Sequence, residues 1–211
     1  MLGDSLSVVM PVFNEKAHLG ETIDALAEAV EGSGFDAELV VVDDGSTDGS
    51  PDVARACADG RLPVRVVSQP NRGRFEARRA GLEVAKGDLI LLLDGRVTLA
   101  PGALRFVRER VDAGELVWTA HVHVESDSSF GVFWRLLAEL AWRDYFDRPR
   151  TTSFGVQEFD RYPKGTTCFL ASRALLLDAF ARFRPHVADV RLANDDTPLL
   201  RDLAARSPIG I

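Results

Sequence analysis

Cysteine is nearly absent from this chain. Cys57 and Cys168 stand far apart, with no CxxC pair and no Cys/His cluster, so a structural zinc site is not expected and two buried, reduced thiols are. Lysine is scarce as well. Only Lys16, Lys86 and Lys164 appear among the 25 basic residues, and the other 22 are arginine. A surplus of positive charge is also lacking, because 32 acidic residues set the formal net charge at -7. That balance excludes sequence-independent nucleic-acid binding, which rests on a basic surface, but not a locally basic pocket for a phosphorylated ligand. No uncharged apolar run approaches the roughly 18 residues a membrane helix needs. The start "MLGDSLSVVMPVF" has neither a basic leader nor a long apolar core, so no signal peptide is read and a cytoplasmic protein is expected. Repeats and low-complexity linkers are missing too.

What is present is an ordinary globular composition, 46% hydrophobic and 27% charged, in 211 residues, enough for a full core. The first hundred residues alternate strand and helix. "LSVVMPVF" reads as a buried strand, and Leu19, Ile23, Leu26 and Val30 form a helical stripe closed by Gly32 and Gly34. "AELVVVDDGS" is a second strand, "PDVARACAD" a helix, and "LPVRVVSQ" a third strand. "RFEARRAGLEVAKG" is a third helix and "DLILLLDG" a fourth strand. This alternation predicts an α/β fold with a mostly parallel sheet covered by helices on both faces.

In such sheets ligands bind beyond the carboxyl ends of the strands, where Asn14-Glu15, Asp43-Asp44 and Asp94 fall. A helix-capping role explains one carboxylate of the Asp43-Asp44 pair and not both. Beyond residue 100 the pattern loosens. "PGALRFVRERVDAG" predicts a helix and "ELVWTAHVHVES" a strand. "FGVFWRLLAELAWRDYF" predicts an aromatic-rich helix, "TTCFLASRALLLDAFARF" a strand running into a helix, and "NDDTPLLRDLAARS" a capped last helix. "SPIGI" looks like a strand beginning. No internal boundary is evident, and 1–211 is read as one domain. His121 and His123 share a strand face at a spacing open to a metal or to simple solvent-facing alternation.

"PVFNE", "VVVDDGSTDGS" and "NRGRFEARRAGLEVAKGDLILLLDG", in this order and spacing, resemble the family 2 glycosyltransferases of the GT-A fold, a Rossmann-like architecture. The resemblance covers residues 6–110 well and resumes around "NDDTPLLR". It implies a nucleotide-sugar-binding half at 1–100 and a smaller acceptor-side half at 101–211, which the abrupt end at "ARSPIGI" suggests is truncated. It implies transfer of a sugar, with inversion, from a nucleotide-diphosphate sugar to an acceptor hydroxyl on a carbohydrate, a lipid-linked molecule or a small molecule.

The resemblance also assigns residues. Phe13 matches the ring stacked on the base, with Pro11 shaping that wall and Glu15 beside it. Asp44 matches the carboxylate facing the base, and Asp43 positions its loop. Arg78 matches an arginine that reaches the nucleotide, in "ARR" where the family has "ARN". Asp94 matches the first acid of DxD, and Asp195 and Asp196 match an acidic pair whose second member is the general base. From the residues alone, Phe13 fits core packing, Arg78 fits a solvated helix face, and Asn-Asp-Asp-Thr-Pro fits an N-cap equally well.

The departure is "DGR". Arg96 stands where the second acid of DxD holds a divalent cation, Mg²⁺ or Mn²⁺, which opens two readings over a degenerate site: Arg96 itself neutralises the diphosphate, or a cation binds through Asp94 and other groups, with metal dependence brought into doubt. Arg96 is therefore counted with the nucleotide-sugar residues. A non-catalytic nucleotide-sugar-binding or scaffold protein is the alternative this departure raises. A nucleotidyltransferase ranks below both, since "PVFNE" stands where a Gly-rich basic loop is expected. The apolar stripe at 130–146, with Arg135, Arg143, Arg148 and Arg150 nearby, suggests a core, a homodimer seam, or a peripheral contact at the inner face of a membrane.

Overall fold

The computed structural model describes residues 3–57, 60–120, 128–183, 189, 191 and 196–211, without the side chains of Phe130, Trp134 and Asp196. The elements are β1 (Ser5–Val12), α1 (Lys16–Val30), β2 (Asp36–Asp43), α2 (Ser50–Ala56), β3 (Val64–Ser68), α3 (Arg74–Val84), β4 (Leu89–Leu93) and α4 (Ala103–Asp112). They continue with β5 (Trp118–Thr119), α5 (Ser129–Ala141), α6 (Arg143–Phe146), β6 (Ser153–Phe154), a 3-10 turn at Phe159–Arg161, β7 (Cys168–Ser172), α7 (Arg173–Arg182), α8 (Asp196–Ala204) and β8 (Ile209–Gly210).

One eight-stranded sheet runs through both halves in the order β3-β2-β1-β4-β7-β5-β8-β6. The expected parallel sheet is present across β3, β2, β1 and β4. Beyond β4 the sheet becomes mixed. β7 runs antiparallel to β4 and β5, β8 pairs parallel with β5, and β6 runs antiparallel to β8. The "SPIGI" segment thus does supply a strand, β8. His121 and His123 lie outside the described residues.

Side chains alternate across a strand, so the apolar runs feed two cores. Leu6, Val8, Met10 and Val12 of β1, with Leu39, Val41, Leu89, Leu91 and Leu93, meet α1, α2 and α4 on one face. Val9, Ile90, Leu92, Phe169 and Ala171 meet α3, α7 and α8 on the other. Helix α3 lies so close to β1 that a Cβ on Gly81 would run into Val9 and stand 3.1 Å from Val42 Cγ2. Only glycine allows this approach. It brings the N-terminal turn of α3 over the ends of β1 and β4.

The 130–146 run is two helices rather than one. It breaks at Trp142, whose φ of -117° and ψ of 38° leave the helical region. Phe133, Leu136, Leu137 and Leu140 of α5 are exposed, so that face is not core among the described residues, whereas Tyr145 of α6 is buried in the second core. Helices α7 and α8 are joined by a chain of ion pairs in which Arg206 contacts Asp178 and Asp202 at 2.6 Å, and Arg182 contacts the same two acids at 3.0 and 3.1 Å. Among the described residues, no helix is long and apolar enough to cross a membrane.

Candidate functional site

β1, β2 and β4 are parallel neighbours, so their carboxyl ends fall on one edge and Phe13, Asp44 and Asp94 follow those ends directly. The loops there are stitched together by side chains far apart in sequence. Asn14, at a positive φ of 57°, accepts from the Thr47 N–H at 2.9 Å and donates its own N–H to Ser46 Oγ at 3.0 Å. The Glu15 N–H donates to Ser50 Oγ, and the Lys16 N–H to Asp48 Oδ2, both at 2.9 Å. Helix α1 is therefore capped by the next loop, "GSTDGS", rather than by its own preceding residue. The Ser50 hydroxyl, 2.6 Å from Asp48 Oδ1, and the N–H groups of Lys16 and Ser50 hold the Asp48 carboxyl below the ordinary range.

Neither Asp43 nor Asp44 caps the helix that follows, correcting the plainer reading of that pair: α2 begins after Gly49, in a left-handed conformation. Asp43 accepts from the Ser46 N–H at 3.0 Å and closes its own turn. Asp44 is 3% exposed and reaches the β3–α3 loop. Its Oδ1 accepts from Gln69 Nε2 at 2.7 Å and the Arg72 N–H at 2.9 Å, and its Oδ2 accepts from the Gly73 N–H at 2.8 Å. Gly73 has a φ of +86°, and a Cβ there would lie 2.5 Å from Arg191 Cα. Two adjacent carboxylates are tolerated because each takes a different set of N–H donors.

Above these loops lies a cleft of about 210 Å³ lined by Pro11, Val12, Phe13, Glu15, Asp44, Arg74, Ala77, Asp94, Gly95 and Arg96. It brings six of the predicted residues together: Pro11, Phe13, Glu15, Asp44, Asp94 and Arg96. Phe13 is 48% exposed, a ring at the surface rather than in the core. Asp43 sits behind the wall. Arg78 lies beneath the floor with no exposed surface, so it is no solvated helix residue. Its Nη2 donates to Asp94 Oδ1 at 2.8 Å and to the Thr166 carbonyl at 3.1 Å, and its Nη1 donates to Thr166 Oγ1.

Two participants were missed by sequence reasoning. Arg74, one helical turn before Arg78, lines the cleft 3.9 Å from Asp94 Oδ2, and that i,i+4 spacing was the available signal. Thr166 lies in "KGTTC", a segment that matches the family too loosely to assign, and its contact spans 88 positions. Arg79 turns outward and pairs with Glu76. A larger hollow of about 300 Å³ beside α1 and α4 lies away from the strand ends and holds none of the predicted residues.

Cys168 is buried beside this floor, and burial, reinforced by the negative Asp94, pushes its thiol up to about 12. Cys57 is only half-buried, which corrects the expectation of two buried thiols. Beyond residue 100, Arg201 of α8 holds Asp160 through contacts of 2.8 and 3.0 Å and lies 4.6 Å from the Phe159 ring. Lys164 packs on the same ring at 4.3 Å. Burial lowers its pKa, with Asp160 opposing and Arg201 adding to the shift. Asp195 lies outside the described residues, and Asp196 opens α8.

The family model of glycosyl transferase family 2 matches residues 7–177, most of the chain. The chain belongs to glycosyl transferase family 2. A family relative, the undecaprenyl-phosphate 4-deoxy-4-formamido-L-arabinose transferase of Pseudomonas paraeruginosa, is 38% identical over 113 residues, covering 53% of this chain and 33% of its own length. The chain thus spans about a third of that curated relative. Among solved structures, S. aureus TarS 1–349 in complex with UDP-GlcNAc superposes with a TM-score of 0.69 at 19% identity, over 98% of this chain and 55% of that one. M. tuberculosis glucosyl-3-phosphoglycerate synthase, in complex with Mn²⁺ and UDP-glucose, gives 0.57 at 25% identity over 82% and 58%. The GT-A fold is the fold of this family 2 chain.

Among the described residues, the carboxylates in this cleft that could meet a divalent cation such as the Mn²⁺ of that neighbour are engaged by other groups. Asp94 is engaged by Arg78 and faced by Arg74, Glu15 Oε1 lies 3.4 Å from Arg96, and Asp44 accepts three N–H groups with its two oxygens. Among the described residues no cluster of three or more His, Cys, Asp or Glu could hold a metal.

Proposed function

We propose that this chain carries the donor site of an inverting glycosyltransferase that uses a nucleotide-diphosphate sugar. The observation that carries the reading is the convergence on one sheet edge of an exposed ring, Phe13, two carboxylates, Asp44 and Asp94, and two arginines, Arg74 and Arg96. A base offers a face for stacking, ribose offers hydroxyls for carboxylates, and a diphosphate calls for guanidinium groups. Residues 1–100 supply this site and residues 101–211 the acceptor side, as parts of one domain.

In the reaction the acceptor oxygen forms its bond to the anomeric carbon as the carbon–oxygen bond to the diphosphate breaks, and the nucleoside diphosphate leaves with the electron pair. The hydroxyl proton passes to Asp196 as general base, with Asp195 beside it. The name of the Pseudomonas relative supports a lipid-linked acceptor. The exposed Phe133, Leu136, Leu137 and Leu140 of α5 support a peripheral contact at the inner face of the membrane, an apolar helix face suited to the headgroup boundary.

The test is release of nucleotide from UDP-, GDP- and dTDP-sugars with carbohydrate and other hydroxyl acceptors, with Asp196→Asn alongside, and in parallel with vesicles carrying undecaprenyl phosphate, whose ionised phosphate oxygen needs no base. Turnover in the native chain and its loss in Asp196→Asn are expected. Unchanged turnover in the variant removes Asp196 as the base. Nucleotide binding without transfer to this or any tested acceptor selects a non-catalytic binding protein instead.

A further inference from the structure

We infer that this chain holds its donor diphosphate without a divalent cation, with Arg96 and Arg74 supplying the positive charge; the inference rests on the donor-site reading above. The carboxylates a cation would need are already committed. One oxygen of Asp94 accepts from Arg78 at 2.8 Å and the other faces Arg74 at 3.9 Å, while Glu15 faces Arg96 at 3.4 Å. A dication entering between Asp94 and Glu15 would have to compete with the guanidinium groups of Arg78, Arg74 and Arg96 that already face those two carboxylates.

The same arrangement suits an anion. Arg96 and Arg74 have side chains 70% and 43% exposed. The Arg96 contact to Glu15 is longer than the 2.7–2.9 Å typical of charge-assisted hydrogen bonds, so turning that guanidinium onto a phosphate gives up little, and Arg74 faces the same space from α3. Arg78 is different. It is fully buried and bonded on both terminal nitrogens, so it fixes Asp94 in place and is not free to turn outward. Arg96 follows Asp94 by two positions on the same loop, and Arg74 enters from the first turn of α3 on the facing wall, so a diphosphate between them is gripped from two sides. A guanidinium presents paired N–H groups to phosphate oxygens and keeps its charge at every working pH. Glu15 then acts as a counter-ion that parks Arg96 while the site is empty.

The experiment is calorimetric titration of UDP, GDP and dTDP into the chain, in EDTA and in Mn²⁺. One of the three is expected to bind with the same affinity, within about twofold, in both buffers. Arg96→Asp is expected to weaken that binding by about 10- to 100-fold in EDTA, the loss of a charge-assisted contact, and to recover it when Mn²⁺ is added. Arg96→Gln is expected to weaken binding without recovery, and Glu15→Gln to tighten it in EDTA by freeing Arg96. Thermal melting of each variant should match the native chain, because these side chains stand at the rim. Binding by the native chain only in Mn²⁺ would overturn the inference and leave the donor site intact, as would Arg96→Asp binding as tightly as native in EDTA. No binding of any of the three nucleotides in either buffer would take down the donor-site reading itself.

Discussion

The floor and the rim of the cleft use the same residue types in opposite ways. On the floor, Arg78 and Asp44 are almost wholly shielded from water, and both terminal nitrogens of Arg78 and both carboxylate oxygens of Asp44 make hydrogen bonds. At the rim, Arg96, Arg74 and Phe13 are 40% or more exposed, and Arg96 stands 3.4 Å from Glu15 and Arg74 3.9 Å from Asp94. Buried charge persists only where its hydrogen bonds are satisfied, so the floor is fixed scaffold. Loosely held charge and an uncovered ring are what a ligand can still engage. The same chemistry therefore holds the fold in one layer and is left for recognition a few ångströms above it.

The contrast is broken most severely from below. Arg78→Met should cost about 3–5 kcal/mol or prevent folding, since Asp94 and Thr166 lose a buried partner, and chemical denaturation measures it. Gly81→Ala should cost about 1–3 kcal/mol, because a methyl group there collides with Val9, again read by denaturation. Phe13→Ala sharpens the contrast from above. Its stability should stay within about 0.5 kcal/mol of native, while nucleotide affinity falls by about 1–3 kcal/mol, the worth of a stacked base. A large loss of stability on Phe13→Ala would move that ring from the rim to the core.

The smallest effect concerns acid. Asp48 has a folded pKa below 3.8, its value in an unfolded chain, so its contribution is present above that pH and disappears as pH falls through the folded value. Asp48→Asn should lack that acid-side loss, and melting temperature against pH in both chains measures it.

Much of the floor's geometry could not be read from the sequence. The apolar runs VVV and LILLL marked the strands, and the acids following them marked the edge. These signals are local. The links that complete the site are not: Thr166 reaches Arg78 from the antiparallel side of the sheet, and Asp48 caps a helix that begins 32 residues earlier. Arg78 carried the right motif, but a charged residue on a helix gives no sign of whether it faces solvent or a buried carboxylate. Arg74 was hidden among the neighbouring arginines of "NRGRFEARR". The break at Trp142 was likewise invisible, since the apolar pattern continues through it.

An amide NMR titration with UDP, GDP and dTDP tests most directly whether this rim is where the donor nucleotide binds. Shifts concentrated at Phe13–Glu15, Arg72–Ala77 and Asp94–Arg96, for one of the three nucleotides, are the expected result. Shifts that spare Asp94–Arg96, or that gather instead in the hollow lined by Glu28, Glu31 and Arg105, would contradict it.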